Sequence, residues 1–78
     1  MKRAMKPYGR LSGESGVTAY RLEAQAIEVR FVDGKLYRYS YASTGRADIE
    51  QMKLLATAGR GLSTFISQHV RHRYESWS

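Results

Sequence analysis

A run of alternating aromatic side chains, Tyr37-Arg38-Tyr39-Ser40-Tyr41, holds half of the six tyrosines in this 78-residue chain. Aromatic rings on a sheet surface can stack on nucleobases, and a neighbouring guanidinium can bind phosphate. The competing interpretation is structural, because a strand that pairs with an apolar strand needs ring area for its core. We expect Tyr37 and Tyr39 to lie in the core, and for Tyr41, at the strand end, both interpretations stay open.

Arg38 shares the other face of this predicted strand with Arg30 of the preceding strand. The two arginines are then the ligand candidates of the sheet, where they would contact nucleic acid. Their structural interpretation is a solvated face that pairs with Glu28 across the strands. The sequence favours the paired face and leaves the ligand interpretation open.

The tripeptide Gly59-Arg60-Gly61 stands between two predicted helices. Amides at the start of a helix can bind an anion where glycine permits a close approach, and Arg60 would add a positive charge. Glycine at a helix end is more often a cap, and we favour that interpretation. Arg60 stays a candidate contact to phosphate.

The run His69-Val-Arg-His-Arg73 lies near the end of the last predicted helix. His69 and His72 share a face, but the chain has no cysteine and no carboxylate cluster to complete a metal site. We place His69 at the edge of the core. Arg71, His72 and Arg73 should point toward solvent near a helix C-terminus, where cations are favoured and can contact phosphate.

No set of side chains in this sequence has the spacing of a catalytic site. A nucleophile needs a base that is held by a third group, and neither His69 nor His72 is placed beside one. We therefore expect a protein that is not an enzyme and that has no metal and no cofactor. The chain also lacks a run of about 18 apolar residues and the pattern of a signal peptide, which predicts a cytoplasmic protein that does not enter a membrane.

The formal net charge of +6 is concentrated at the two ends of the chain. Residues 1–10 carry a charge of +4 and residues 59–78 a charge of +2, while the charges of residues 11–58 cancel. The first segment has no periodic apolar pattern, and we predict that residues 1–16 form a flexible basic arm. Its candidate phosphate contacts are Lys2, Arg3, Lys6 and Arg10.

Period-two alternation predicts two strands joined at Asp33-Gly34. A two-residue loop would mix the faces, whereas a three-residue turn over 32–34, with Gly34 left-handed, sets Val29 opposite Tyr37 and Ile27 opposite Tyr39. A third strand is expected over 17–23. It would face the core through Val17 and Ala19 or through Tyr20 and Leu22.

The apolar period becomes helical after residue 45. One helix presents Ile49, Met52, Leu55 and Ala56 on a single face and ends at Gly59, and a second begins near Leu62 or Ser63. The apolar stripe of the second helix contains Phe65, Ile66, His69 and Val70. The predicted fold class is α+β, with an antiparallel sheet of about three strands followed by two helices packed on one face, all within 17–78.

The sequence resembles the KTSC family, short domains that occur at the C-terminus of some lysyl-tRNA synthetases and as small free-standing bacterial and phage proteins. The family's aromatic-x-aromatic motif corresponds to Tyr37-Arg38-Tyr39, and the stretch 52–66 resembles its helical half. The similarity covers roughly residues 16–74. Relatives often have an Asn where this chain has Ser67. The resemblance implies the α+β fold and suggests an association with RNA.

These observations predict a binding module that contacts nucleic acid, with RNA favoured over DNA, through its basic ends and its Tyr/Arg strand. The alternative is a protein-interaction or self-assembling module, including a phage accessory protein that binds a host protein or a small nucleotide. That module would use the exposed apolar groups Val32, Leu36 and Trp77. A homo-oligomer is compatible with either function.

Overall fold

The computed structural model describes residues 4–9 and 16–78, which fold into one antiparallel sheet and a helical layer. Within these residues the sheet has five strands in chain order: β1 (Lys6–Pro7), β2 (Val17–Glu23), β3 (Ala26–Phe31), β4 (Leu36–Ser40) and β5 (Ser76–Trp77). Between β4 and β5 lie α1 (Tyr41–Thr44), α2 (Arg46–Ala58) and α3 (Leu62–Phe65), and α3 continues into a π-helical turn (Ile66–Val70). The α+β class is confirmed, with two short edge strands added to the three that were predicted.

The β3–β4 hairpin has the predicted register. Val29 pairs with Tyr37 and Ile27 pairs with Tyr39. The Phe31 N–H donates to the Lys35 carbonyl at 2.9 Å, which closes a turn over 32–34 in which Gly34 has a φ of 89°. This register places Tyr39 against the helices and Arg38 on the outer face of the sheet.

Strand β2 contains an irregularity that decides which of its residues face the core. The register shifts between Val17, which pairs with Phe31, and Ala19, which pairs with Arg30. Because a bulge changes the alternation by one residue, Val17 and Tyr20 both lie on the inner face and are buried. The second predicted pair, Tyr20 and Leu22, therefore faces the core, with Leu22 partly buried, and the bulge adds Val17 from the first pair.

The helices cover the inner face of the sheet. The core contains Ile27, Val29 and Tyr39 from the sheet and Ile49, Met52, Ala56, Leu62, Ile66 and Val70 from the helices. Helix α2 ends at Gly59, as predicted, and this glycine is in the left-handed conformation. In the last helix the buried residues recur every fourth position, so that Phe65 is only half-buried and His69, predicted at the core edge, is exposed.

The N-terminal segment corrects the prediction of a flexible arm over 1–16. Strand β1 pairs with β2 through Lys6 opposite Tyr20 and Pro7 opposite Ala19. Tyr8 is buried, and its hydroxyl accepts a hydrogen bond of 2.9 Å from the Leu62 N–H at the start of α3. Residues 4–9 are thus part of the fold, and the remainder of the predicted arm, 1–3 and 10–15, lies outside the described residues.

The outer face carries a row of alternating charges across three strands. Arg21 of β2 and Arg38 of β4 flank Glu28 of β3 in register. Glu28 is only 3% exposed, receives a hydrogen bond from Arg21, and lies 3.5 Å from an Arg38 nitrogen. A carboxylate this buried is tolerated because two guanidinium groups neutralise it.

We expect Glu28→Gln to lower the free energy of unfolding by about 1–3 kcal/mol, because the amide keeps the shape but loses the charge-assisted hydrogen bonds. Urea denaturation measures the change. The control is Glu75→Gln, which removes an exposed partner of Arg38 and should cost less. Equal losses of unfolding free energy for the two variants would contradict the conclusion that the buried Glu28 carboxylate stabilises the fold more than the exposed Glu75 does.

We expect Tyr8→Phe to lower the free energy of unfolding by about 1–3 kcal/mol, since the buried Leu62 N–H loses its acceptor. The control is Tyr20→Phe. The Tyr20 hydroxyl forms no hydrogen bond with any described residue, so this variant should lose less unfolding free energy. Thermal and urea unfolding report both values. An unchanged Tyr8→Phe variant would contradict a stabilising role for the hydrogen bond between Leu62 and Tyr8.

Candidate functional site

A pocket of about 440 Å³ opens between the β3–β4 turn and the π-helical turn. Its volume is in the range of small-molecule binding sites. The apolar lining is largely aromatic and comprises Phe31, Val32, Tyr37, Tyr39, Ile66 and Tyr74. Polar side chains also line it, namely Asp33, Ser67, Arg71 and His72. We call this site the aromatic pocket.

The rings of the aromatic pocket support one another by edge-to-face contacts. Tyr37 lies 5.2 Å from Phe31 and 4.8 Å from Tyr74 between ring centroids, with interplanar angles of 85° and 79°. Trp77 of β5 stacks on Tyr37 at 6.3 Å. Burial raises the pKa of Tyr39 well above its ordinary value, so its hydroxyl stays protonated. The Tyr39 side chain therefore gives the pocket a neutral, buried surface.

Arg71 has an unusual backbone where the π-helical turn ends. It is the one non-glycine residue with a positive φ among 4–9 and 16–78, at φ 34° and ψ −101°. Its N–H donates to the Ile66 carbonyl at 2.6 Å. A side-chain-bearing residue in this region is strained, and such strain concentrates at functional sites. The strained position puts an exposed guanidinium on the pocket.

Arg38 was predicted as a ligand candidate or as a partner of Glu28, and the structure gives it carboxylate partners. Besides Glu28, its guanidinium contacts Glu23 at 2.8 Å and Glu75 at 3.1 Å. The hydrogen bond to Glu23 is the main cause of the raised pKa of Arg38. A hydrogen bond with Ser40 is the main cause of the lowered pKa of the Glu75 carboxyl, and a hydrogen bond with Arg38 lowers it further. A phosphate at this site would have to displace these carboxylates.

Arg73, another predicted phosphate contact, also holds the fold together. It donates to the Thr44 carbonyl at the end of α1 and lies 3.4 Å from the Asp48 carboxylate of α2. The Thr44 hydroxyl in turn donates to the Arg73 carbonyl at 2.7 Å. Arg73 thus fastens the C-terminal segment to the helical layer.

Tyr41, for which both interpretations were open, has internal partners as well. Its hydroxyl donates to the Glu50 carboxylate at 2.6 Å, and the Lys53 ammonium lies 5.7 Å from its ring centroid. The hydrogen bond to Glu50 raises the pKa of Tyr41, and the same bond lowers the pKa of Glu50. These contacts favour the structural interpretation of this tyrosine.

The other predicted contacts are more accessible. Lys6, Arg30, Arg60 and Arg71 are exposed and form no ion pair with a described residue. His72 is exposed and lies edge-on to Tyr74 at 6.4 Å. Of the predicted set only Arg71 and His72, together with Tyr37 and Tyr39 of the aromatic motif, line the aromatic pocket. Lys2, Arg3 and Arg10 lie outside the described residues.

The structure gives structural roles to two other sequence features, the tripeptide Gly59-Arg60-Gly61 and His69. The Leu62 N–H that could have bound an anion after Gly59-Arg60-Gly61 donates instead to Tyr8. His69 stacks on Phe65 with centroids 4.6 Å apart. Across 4–9 and 16–78 no group of three or more histidine, aspartate or glutamate side chains could hold a metal ion.

Tyr74, Asp33 and Ser67 are pocket residues that sequence reasoning did not assign to a site. Asp33 was placed in the turn, and Ser67 was noted only as a difference from similar domains. Tyr74 enters the pocket because the chain turns back after the last helix to form β5. A strand of two residues shows no alternation, so only the aromatic composition of the last five residues could have indicated it.

Comparisons of the chain with protein-family models, with curated proteins and with solved structures find no match. In the described part of the chain, no helix is long and apolar enough to cross a membrane. Function is therefore inferred from the geometry and the charges of the described residues.

We expect Arg71→Gly to raise the free energy of unfolding by about 1 kcal/mol, because glycine adopts a positive φ without a steric penalty. The control is Arg60→Gly, which removes an exposed arginine whose φ is not positive and should leave stability equal or lower. Urea midpoints distinguish the two. A destabilised Arg71→Gly variant would contradict the strain at this position.

Proposed function

We propose that this chain is a non-enzymatic module that binds single-stranded nucleic acid, and RNA in particular. The proposal rests on one observation: nearly all the described acids are paired within the protein, whereas several of the described cations have no carboxylate partner. Five of the six carboxylates among the described residues form ion pairs, and their four partners are Arg21, Arg38, Lys53 and Arg73. The fold thus neutralises its own acids with cations that hold the structure together.

Six described cations remain. Arg46 interacts with Tyr41 and Glu50. The other five form the surface available to a polyanion, because they are exposed and have no carboxylate partner among the described residues: Lys6, Arg30, Lys35, Arg60 and Arg71. Exposed cations without partners gain from phosphate contact because counterions are released from the nucleic acid. They supply affinity that does not depend on the base sequence.

The aromatic pocket favours a single strand over a duplex. Paired bases present only their edges, whereas an unstacked base offers a ring face to aromatic side chains. RNA is favoured because its loops and ends supply unstacked bases, and the resemblance to a domain attached to lysyl-tRNA synthetases agrees with this choice. That resemblance is an argument from association and adds less than the charges do.

A second candidate function, self-association or protein binding, has its own observation. Val32 is 69% exposed and Trp77 is 55% exposed, although Leu36 is half-buried. Strand β5 pairs only with β4 in the described sheet, so its other edge is available for strand addition. A stable oligomer in light scattering that does not bind RNA would favour this function.

We expect the affinity for a fluorescently labelled single-stranded RNA to fall steeply as salt is raised, with a slope of about −0.7 per phosphate contact on logarithmic axes. Fluorescence anisotropy titrations at several salt concentrations measure it. Arg30→Gln and Arg60→Gln should each reduce the slope by about 0.7.

Lys53→Gln is the matched control for these variants. Lys53 contacts the Glu50 carboxylate at 3.0 Å and donates to the Ala24 carbonyl at 2.9 Å, so its replacement should leave the slope unchanged. Absence of binding at low salt and micromolar protein would overturn the proposed function. A slope that falls equally in all three variants would show that the unpaired cations have no special role.

A further inference from the structure

We propose that the aromatic pocket is a subsite for one unstacked nucleobase, whose flanking phosphate is bound by Arg71 and His72. This inference rests on the proposed function and specifies where on the protein a base binds and which side chains bind its phosphate. The phosphate contacts alone would bind any strand at many positions. The pocket would fix one base at one position on the protein.

The shape and walls of the pocket suit a flat ring. Tyr37 and Tyr74 meet nearly edge-to-face, so their surfaces form a corner with walls of different orientation. Phe31 supports Tyr37 from the turn side, and Ile66 contributes an aliphatic surface from the helix side. A planar aromatic body gains from such walls both by stacking and by edge contacts.

The polar groups divide between the two sides of the pocket. Asp33, on the turn side, accepts the Lys35 N–H at one carboxylate oxygen, at 3.0 Å. The other oxygen can accept a base N–H, and the negative charge repels phosphate from this side. Arg71 and His72, on the helix side, provide donors for an anion. A ligand with a flat body and an anionic end is a nucleotide unit.

The backbone of Arg71 is an independent observation that points to the same place. The fold holds a non-glycine residue at a φ of 34° where the π-helical turn ends, although glycine would relieve the strain. Such a position is expected where the side chain itself is used. The guanidinium forms no ion pair with a described residue, so it is available to a phosphate.

The first experiment compares two strands of equal length and equal phosphate count. One carries its bases, and the other is abasic at every position. The probe pair separates base binding from phosphate binding in the unmodified protein. We expect the base-bearing strand to bind about tenfold more tightly at the same salt concentration, the effect of one stacked base.

The second experiment fills the pocket. Ser67 lines it and is exposed, so Ser67→Trp should place an indole where the base would lie. Gln68→Trp adds the same indole one residue further along the helix, at an exposed position that does not line the pocket. We expect Ser67→Trp to lower the affinity for the base-bearing strand to that of the abasic strand, and Gln68→Trp to leave it unchanged.

The outcomes separate this inference from the proposed function. Equal, strongly salt-dependent binding of the two strands would overturn the base subsite and leave phosphate binding intact. No binding of either strand at low salt would overturn both. If Ser67→Trp failed to fold, the comparison of the two strands in the unmodified protein would still decide the question.

Discussion

The register of the β3–β4 hairpin is the constraint on which the rest of the structure depends. Because the turn has three residues, Val29 meets Tyr37 and Ile27 meets Tyr39 on the inner face. A slip of one residue would bury Arg38 and expose the tyrosines. The same register sets Glu28 between two guanidinium groups on the outer face. Core, charge row and aromatic pocket all follow from this one alignment.

The hairpin also determines where the basic charge can act. Since Arg38 lies on the outer face beside Glu23, Glu28 and Glu75, its charge is neutralised within the protein. Among the described residues the excess positive charge therefore belongs to exposed side chains elsewhere, and of these Arg71 lines the aromatic pocket together with His72. In the Tyr/Arg strand, Arg38 is therefore structural, whereas Tyr37 and Tyr39 line the aromatic pocket.

Several features were predictable because they depend on local patterning. Alternation and a loop-parity argument gave the hairpin, and a helical period with a terminal glycine gave α2. The face of β2 could not be deduced, since a bulge changes parity without a sequence signal. Strands β1 and β5 were not predicted, because a strand of two residues is too short to show an alternation of apolar and polar side chains.

The candidate site was only partly predictable. Arg71 and His72 were identified from their position near a helix end, and the tyrosine motif supplied two walls. Of the partners of Arg38, Glu28 was predicted but Glu75 was not, because Glu75 is 37 residues away in the chain and approaches only through the turn into β5. The burial of Tyr8 was not predicted, because the positive charge of its segment and the turn-rich residues that follow indicated a flexible arm. Long-range contacts of this kind are set by tertiary packing.

The most direct test of the account is an amide NMR titration of the ¹⁵N-labelled protein with single-stranded RNA. We predict that the largest shifts occur around the aromatic pocket, at Asp33, Ser67, Arg71 and His72. The amides of Arg21, Glu28 and Arg38 should shift little. Shifts concentrated on that outer face, with the pocket unchanged, would contradict the account.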